Sequence, residues 1–148
     1  MVRRGRAYPA PVATQWELSD AWVFSSIEGT GPDDGYTLVQ IIAKADGINH
    51  AILLESEFTQ AVPRLVAAGL IGAQPEADRY WHTEAGQALY QRRMTGHGLF
   101  GWLRVILPSL QRLGAPTDAQ WSLPAGAFDR ATRDYHRWAS KILRRLGP

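Results

Sequence analysis

The sequence predicts a mainly α fold that contains one small β-hairpin. Apolar residues recur at helical spacing over most of the chain, two short apolar runs flank a polar turn, and glycines or capping residues stand at the ends of several segments. The length of 148 residues suits one domain with a sizeable core. Apolar residues make up 45% of the chain and charged residues 20%, so a globular protein is expected.

Two helices are predicted in the first third of the chain. They cover 20–27 and 38–45 and are separated by a glycine-containing loop over 29–35. The residues expected to cap or end these helices are Ser19 or Asp20, Thr37, Asp46 and Gly47. The residues expected to face the core are Trp22, Val23, Ile27, Leu38, Ile41, Ile42 and Ala45.

The third predicted helix begins near Glu55 or Ser56 and ends before Gly69, which stands where a C-terminal capping glycine is expected. The preceding segment 48–54 is compatible with a buried turn or a short irregular helix. Pro63 lies about two turns into the helix. Because proline removes a backbone donor, we expect it to kink the helix or loosen its first turns. The predicted core residues are Phe58, Val62, Leu65 and Val66.

A β-hairpin and a fourth helix follow. Segments 70–74 and 79–82 are the predicted strands, and the polar sequence PEAD joins them. Thr83 is a suitable N-cap for a helix that runs to about Met94. The sequence TGHG at 95–98 is expected to end that helix.

The C-terminal third is predicted to contain two more helices, 99–113 and 125–146, joined by a connector over 113–127. The first has a kink at Pro108. The apolar residues of these helices are Leu99, Leu103, Ile106, Leu110 and Leu113, then Phe128, Ala131, Tyr135, Trp138 and Ile142. The cations predicted on the opposite side of the last helix are Arg130, Arg133, Arg137, Lys141 and Arg144.

The net charge of +2 is unevenly distributed. Residues 1–15 carry three arginines and no acid, and 16–97 carry five Lys or Arg against eleven Asp or Glu. Residues 98–148 carry eight Lys or Arg against three Asp. The middle segment is therefore acidic and both flanking segments are basic. This distribution bears on DNA binding, which depends largely on neutralising phosphates.

Composition excludes several classes of protein. The chain has no cysteine, which excludes disulfides, thiolate catalysis and cysteine-based zinc sites, and we expect a cytoplasmic protein. No apolar run is long enough to span a bilayer. Pro9 and Pro11 interrupt the arginine-containing N-terminus and no apolar stretch follows, so 1–15 is predicted to be a flexible basic arm and not a signal peptide.

Three segments carry a resemblance to a known group of proteins. The sequences RLVAAGLI at 64–71, PEADRYW at 75–81 and HTEAGQALY at 82–90 resemble the winged helix-turn-helix of the MarR and PadR transcriptional regulators. The resemblance implies a fold that is mainly α with a small β-hairpin wing, a winged helix-turn-helix over 16–95. The two C-terminal helices, within 96–148, would complete the core or form a dimer interface. The implied function is that of a dimeric, DNA-binding transcriptional regulator.

The resemblance also implies where DNA would be bound. The third helix would enter the major groove, the wing would contact the minor groove, and the basic arm would reach the adjacent minor groove. The residues implied in these contacts are Ser56, Thr59, Gln60 and Arg64 on the helix, Arg79 on the wing, and Arg3, Arg4 and Arg6 on the arm.

A second interpretation makes the winged helix a protein-interaction module that does not bind DNA. Glu55 and Glu57 stand in the first turn of the third helix, and Glu76 and Asp78 lie at the wing tip. Carboxylates at these places would repel phosphates. The acidic segment could instead bind a basic partner, or the basic C-terminal segment of the same or a second chain, which would favour a homodimer. Both interpretations remain open from the sequence.

The apolar residues of the C-terminal third have a further possible role as a dimer interface or a ligand pocket. The residues concerned are Trp102, Ile106, Leu110, Phe128, Tyr135, Trp138 and Ile142. The four histidines show no metal-binding spacing, and no nucleophile or phosphate-loop motif is present. We therefore expect no metal, no cofactor and no enzymatic activity.

Overall fold

The computed structural model of the chain describes residues 15–94 and 100–147. The helices are α1 (Leu18–Ser25), α2 (Leu38–Asn49), α3 (Glu55–Ala67), α4 (Glu84–Met94), α5 (Leu107–Gln111) and α6 (Ala127–Leu146), and the strands are β1 (Ile71–Gln74) and β2 (Arg79–His82). The predicted mainly α fold with a small hairpin wing is confirmed. The predicted arm with Arg3, Arg4 and Arg6, up to residue 14, and the TGHG segment lie outside the described residues.

The start of α1 differs from the prediction. The helix begins at Leu18, and Glu17 takes the N-cap position in place of Ser19 or Asp20. Asp20 lies within the first turn, where its carboxylate accepts a hydrogen bond from the Glu17 backbone N–H at 2.8 Å. The carboxylate therefore returns to the helix start from the third helical position, as in a capping box.

The start of α2 is as predicted and its end is not. The Thr37 hydroxyl accepts the Gln40 N–H at 3.3 Å, and the Gln40 side chain accepts the Thr37 N–H at 2.8 Å. The helix does not stop at Asp46 and Gly47 but continues to Asn49, where His50 adopts a left-handed conformation with φ 52°. Ile48 packs against the core, so the extra turn buries apolar surface.

Helix α3 begins at Glu55 as predicted and is continuous through Pro63, so its first turns are formed. Gly69 ends it with φ 73°. The Gly69 N–H donates to the Val66 carbonyl at 2.9 Å, and the Leu70 N–H donates to the Leu65 carbonyl at 3.0 Å. This pair of hydrogen bonds is a Schellman motif, which requires a left-handed residue that glycine adopts without strain.

The wing is a two-stranded antiparallel hairpin. Its register pairs Ile71 with His82 and Gln74 with Arg79, and a short 3₁₀ turn at Pro75–Ala77 joins the strands. Thr83 caps α4 as predicted, since its hydroxyl accepts the Gly86 N–H at 3.1 Å. The same hydroxyl donates to the Gly69 carbonyl at 2.6 Å, which ties the start of α4 to the end of α3.

The predicted helix over 99–113 is less regular than expected and ends at Gln111. Its described part is a π-helical turn, Trp102–Ile106, followed by α5. In the π-helical turn the Leu107 N–H donates to the Trp102 carbonyl five residues earlier, which changes the faces that the side chains occupy. Ile106 and Leu110 of the predicted apolar stripe are buried, and Trp102 is buried with them. Leu103 and Leu113, which belong to the predicted apolar stripe, are exposed, and Leu99 lies outside the described residues.

Helix α6 is partly packed and partly exposed. It begins at Ala127, after Gly126 with φ 76°, and packs on α2. Phe128, Ala131 and Tyr135 are buried, and the Tyr135 hydroxyl donates to the Asp46 carboxylate. Trp138 belongs to the same predicted apolar face but is 53% exposed. The predicted face is therefore correct for the first half of the helix only, because α2 ends before it can cover the second half.

A single hydrophobic core joins the winged helix to the C-terminal helices. Trp102, Ile106 and Leu110 belong to the same buried cluster as Trp22, Phe24 and Leu65, and so do Phe128, Ala131 and Tyr135. Within the described residues, no helix combines the length and the apolar character needed to cross a membrane.

Candidate interaction surfaces

Arg64, the one cation in the sequence of α3, is buried. Its exposed fraction is 4%, and its Nη1 lies 2.9 Å from Oδ2 of Asp20, whose side chain is fully buried. The same nitrogen donates to the Gln15 carbonyl at 3.3 Å. Burial raises the pKa of Asp20 even though the Glu17 backbone N–H and the Arg64 guanidinium favour the charged form. Arg64 is thus part of an internal ion pair between α1 and α3 and does not lie on an exposed helix face, as groove contact would require.

The connector between α5 and α6, residues 112–126, crosses α3. The Ala119 N–H donates to the Pro63 carbonyl at 3.0 Å. The Trp121 ring lies edge-on to Phe58 of α3 at 5.9 Å and to Tyr80 of β2 at 6.4 Å. Pro63 is buried although it lies between Thr59 and Ala67 on the outer side of the helix. The connector therefore covers the middle of the helix that was predicted to enter a DNA groove.

The three other predicted DNA-contact residues of α3 differ in exposure. Ser56 is exposed, whereas Thr59 and Gln60 are half-buried. The Thr59 hydroxyl donates to the Glu55 carbonyl at 2.9 Å, and the Gln60 amide donates to the Glu17 carboxylate at 2.9 Å. The structure therefore brings Ser56, Thr59 and Gln60 together near the start of α3, two of them engaged in local hydrogen bonds.

The wing folds back onto the body of the protein. The Asp78 carboxylate accepts the Leu38 N–H at 2.9 Å, at the first residue of α2, where an acid is favoured by the free N–H groups of the helix start. Arg79, the predicted wing cation, is half-buried and donates to the Asp78 carbonyl at 3.0 Å. Glu76 is exposed at the tip. The exposed charge of the wing tip is accordingly acidic.

An exposed surface of mixed acidic and apolar character lies at the starts of α1 and α3, and we call it the acidic patch. Its residues are Glu17, Leu18, Leu54, Glu55 and Glu57. Leu18 is 52% exposed and Leu54 is 58% exposed. The Glu57 carboxylate accepts the Leu54 N–H at 3.0 Å, and the Glu17–Gln60 hydrogen bond joins the two helices. The sequence identified Glu55 and Glu57, but Glu17, Leu18 and Leu54 were missed because their neighbourhood depends on how α1 packs against α3.

Helix α6 presents the opposite charge. The five predicted cations Arg130, Arg133, Arg137, Lys141 and Arg144 are all exposed. We call residues 137–146 the α6 tail, which carries four cations and no acid. Its large apolar residues are Trp138, Ile142, Leu143 and Leu146. Ile142 is half-buried and the others are exposed, Leu146 by 75%. The tail is therefore both basic and apolar. Its apolar side continues the face that is buried in the first half of α6.

The seven residues predicted to line a dimer interface or a ligand pocket do not share one place. Trp102, Ile106 and Leu110 are buried in the layer formed with α1 and α4. Phe128 packs against Phe58 of α3, with ring centroids 5.8 Å apart, and the Tyr135 hydroxyl donates to Asp46 of α2. Trp138 and Ile142 lie on the α6 tail. The first two groups fill the core, and only the last two residues remain accessible to a partner.

A polar network that the sequence did not predict joins the loop after α1 to α2 and α4. The Glu28 carboxylate binds the Lys44 ammonium at 2.7 Å and accepts hydrogen bonds from the hydroxyls of Tyr36 at 2.7 Å and Tyr90 at 2.9 Å. Partial burial would raise the pKa of Glu28, but the three hydrogen bonds outweigh it and lower the pKa to about 2. The network stabilises the charged carboxylate and so fixes the loop against both helices.

His82 lies next to this network in the core. Its Nε2 is 2.9 Å from the Phe24 carbonyl, and its ring stacks on the Phe24 ring at 4.4 Å and lies 4.9 Å from the Tyr90 ring. Burial lowers the pKa of His82 to about 4, so the imidazole is neutral at pH 7. In the described part of the chain, no group of three His, Asp or Glu side chains is arranged to hold a metal ion.

No protein-family model, curated protein or solved structure matches the chain. The resemblance to the MarR and PadR regulators therefore stays a prediction from the three sequence segments. Among the described residues, the acidic patch and the α6 tail each combine exposed large apolar side chains with charges of one sign.

Proposed function

We propose that the chain is a winged-helix protein-interaction module whose acidic patch binds a basic, amphipathic partner helix. The observation that carries this proposal is the state of α3: the connector covers its middle at Pro63, and its single cation, Arg64, is buried against Asp20. A helix that reads DNA needs a continuous exposed face and cations near the phosphates. Neither requirement is met on the outer side of α3.

The chemistry of the acidic patch favours a partner of one kind. Leu18 and Leu54 offer apolar contact area, and the neighbouring carboxylates of Glu17, Glu55 and Glu57 add negative charge. An amphipathic helix with apolar residues on one side and Lys or Arg at its edges matches both features. The apolar contacts would supply most of the affinity, and the charges would mainly select the partner and speed its association.

A second candidate function is the predicted dimeric DNA-binding regulator, with a different contact surface. The observation that favours it is the row of exposed cations on α6, Arg130 to Arg144, which can neutralise phosphates without any contribution from α3. The predicted arm arginines, Arg3, Arg4 and Arg6, would add to that contact. Binding of this kind would depend on charge and would show little preference for sequence.

The two candidates are separated by one pair of titrations with the full chain. The first measures fluorescence anisotropy of a labelled random-sequence duplex over a salt series. The second measures binding of a synthetic Leu/Lys amphipathic peptide to the same protein. The interaction module is expected to bind the peptide at micromolar concentration or tighter and to leave the duplex unbound. Tight duplex binding that weakens steeply with salt would instead favour the regulator.

A matched pair of variants tests the acidic patch itself. Glu55→Gln with Glu57→Gln removes two charges and keeps an acceptor for the Leu54 N–H, so peptide binding should weaken about tenfold. Glu76→Gln with Glu84→Gln removes two exposed charges elsewhere and should leave peptide binding within about threefold. Equal loss in both double variants would contradict a specific acidic patch. We also propose a cytoplasmic location, which cell fractionation of the native protein would test.

A further inference from the structure

We infer that the helix bound by the acidic patch is the α6 tail of a second copy of the chain. This inference rests on the proposed function and names its partner. The chain carries two exposed surfaces that complement each other. The acidic patch combines the exposed apolar residues Leu18 and Leu54 with carboxylates. The α6 tail combines the exposed apolar residues Trp138 and Leu146 with cations. Both are exposed within one chain, so a second copy can cover both.

The α6 tail has the features that the acidic patch requires of a partner. It is a helix with three exposed large apolar residues, Trp138, Leu143 and Leu146. Its cations Arg137, Lys141 and Arg144 lie on the other side and can reach the edges of a contact, because long basic side chains bend around apolar surfaces. Exposed apolar surface rimmed by charge is typical of a protein contact site.

Charge favours this arrangement over direct pairing of two α6 tails. Tail-to-tail packing would bring the four cations of each tail beside the four of the other, and the sequence has no acid after Asp134 to compensate them. Tail-to-patch packing places the cations beside Glu55 and Glu57. Like charges across a contact weaken association, whereas opposite charges accelerate it and select the partner.

Area and symmetry favour a reciprocal dimer. The ten residues of the α6 tail span about 15 Å, which is short for a stable interface of roughly 800 Å² per partner. If each copy places its tail on the acidic patch of the other, the contact occurs twice and the contact area doubles. Such an exchange is related by a two-fold axis and closes the assembly at two copies.

A charge exchange tests the contact by sedimentation of the full chain from nanomolar to high micromolar concentration. Arg137→Glu with Lys141→Glu should weaken the dimer about tenfold or more, and Glu55→Lys with Glu57→Lys should do the same. A chain that carries all four substitutions should regain dimerisation to within about threefold of the original, because the pairs are restored with opposite sign. Arg112→Glu with Arg133→Glu, which changes the net charge equally outside the tail, should leave the dimer within about threefold.

The outcomes separate this inference from the function on which it rests. Weaker dimerisation in each of the two double variants, with recovery in the chain that carries all four substitutions, would establish the contact. A monomer at every concentration, or a dimer that none of these variants weakens, would overturn it, even where the Leu/Lys peptide still binds the acidic patch. A monomer whose tail binds phosphatidylserine vesicles, with binding lost in the tail variant, would also overturn it and assign the tail to an anionic membrane surface.

Discussion

Helices α3 and α6 are both amphipathic and carry cations, yet the fold uses them in opposite ways. In α3 the cation Arg64 is buried in an ion pair, and the connector covers the outer side of the helix at Pro63. In α6 the cations are exposed, and the apolar stripe extends beyond the helix that covers it. The comparison shows that the place of a helix in the chain order does not decide which of its side chains are accessible.

The largest expected difference between the two helices is in how much the free energy of unfolding falls when an arginine is replaced. Arg64→Met should destabilise the protein by about 3–5 kcal/mol, because Asp20 would remain buried without a cation. Arg137→Met on α6 should change the unfolding free energy by less than about 0.5 kcal/mol, because that side chain is exposed. Urea unfolding followed by circular dichroism measures both, at dimer-free dilution.

The ion pair itself can be separated from packing by a second substitution. Asp20→Asn in the Arg64→Met background removes the uncompensated charge and should recover part of the lost stability. Similar losses of unfolding free energy in Arg64→Met and Arg137→Met would contradict the contrast between a buried arginine on α3 and an exposed one on α6.

Acid should destabilise the core around His82, which packs against Phe24 of α1 and Tyr90 of α4. The pKa of His82 falls from 6.5 to about 4 on folding, so the unfolded chain binds the proton more readily between these values. Stability should therefore decrease as the pH is lowered from 6.5 to 4, by about 3 kcal/mol at about 1.4 kcal/mol per unit. The lowered pKa of Glu28 adds its own loss only below about pH 4.5. Urea unfolding at a series of pH values measures the decrease.

A matched histidine variant locates the source of this pH dependence. His82→Phe should remove the decrease between pH 6.5 and 4, whatever its stability at pH 7. His136→Phe, at an exposed position on α6, should retain it. A His82→Phe protein with the original pH profile would show that another group controls acid stability.

The smallest expected effect concerns the contact that holds the first half of α6 on α2. Tyr135→Phe removes the hydroxyl that donates to Asp46 and should cost about 1 kcal/mol, because the acceptor is charged but only half-buried. Hydrogen exchange should then become faster in the first two turns of α6. Ser140→Ala, at an exposed position of the same helix, should cost less than about 0.5 kcal/mol. Equal effects of the two substitutions would contradict an anchoring role for Tyr135.

The sequence by itself determined the order of elements and several of their ends. Thr37, Gly69 and Thr83 stand at the boundaries predicted for them, since a cap or a left-handed glycine acts on residues within one turn of the chain. The hairpin was predictable for the same reason, because apolar alternation and a polar turn are local signals. Glu55 and Glu57 were also identified from the sequence, because carboxylates in the first turn of a helix that binds a DNA groove would repel the phosphates.

Only the tertiary structure decided which charged and apolar faces are accessible. Arg64 and Asp20 are 44 positions apart, so the sequence did not show their ion pair, and the resemblance to winged-helix regulators implied that this arginine contacts DNA. The coverage of α3 depends on the connector, more than fifty positions later in the chain, and the exposure of the α6 tail depends on where α2 ends. Periodicity shows that a helix has two faces, but burial depends on which distant segment packs against each of them.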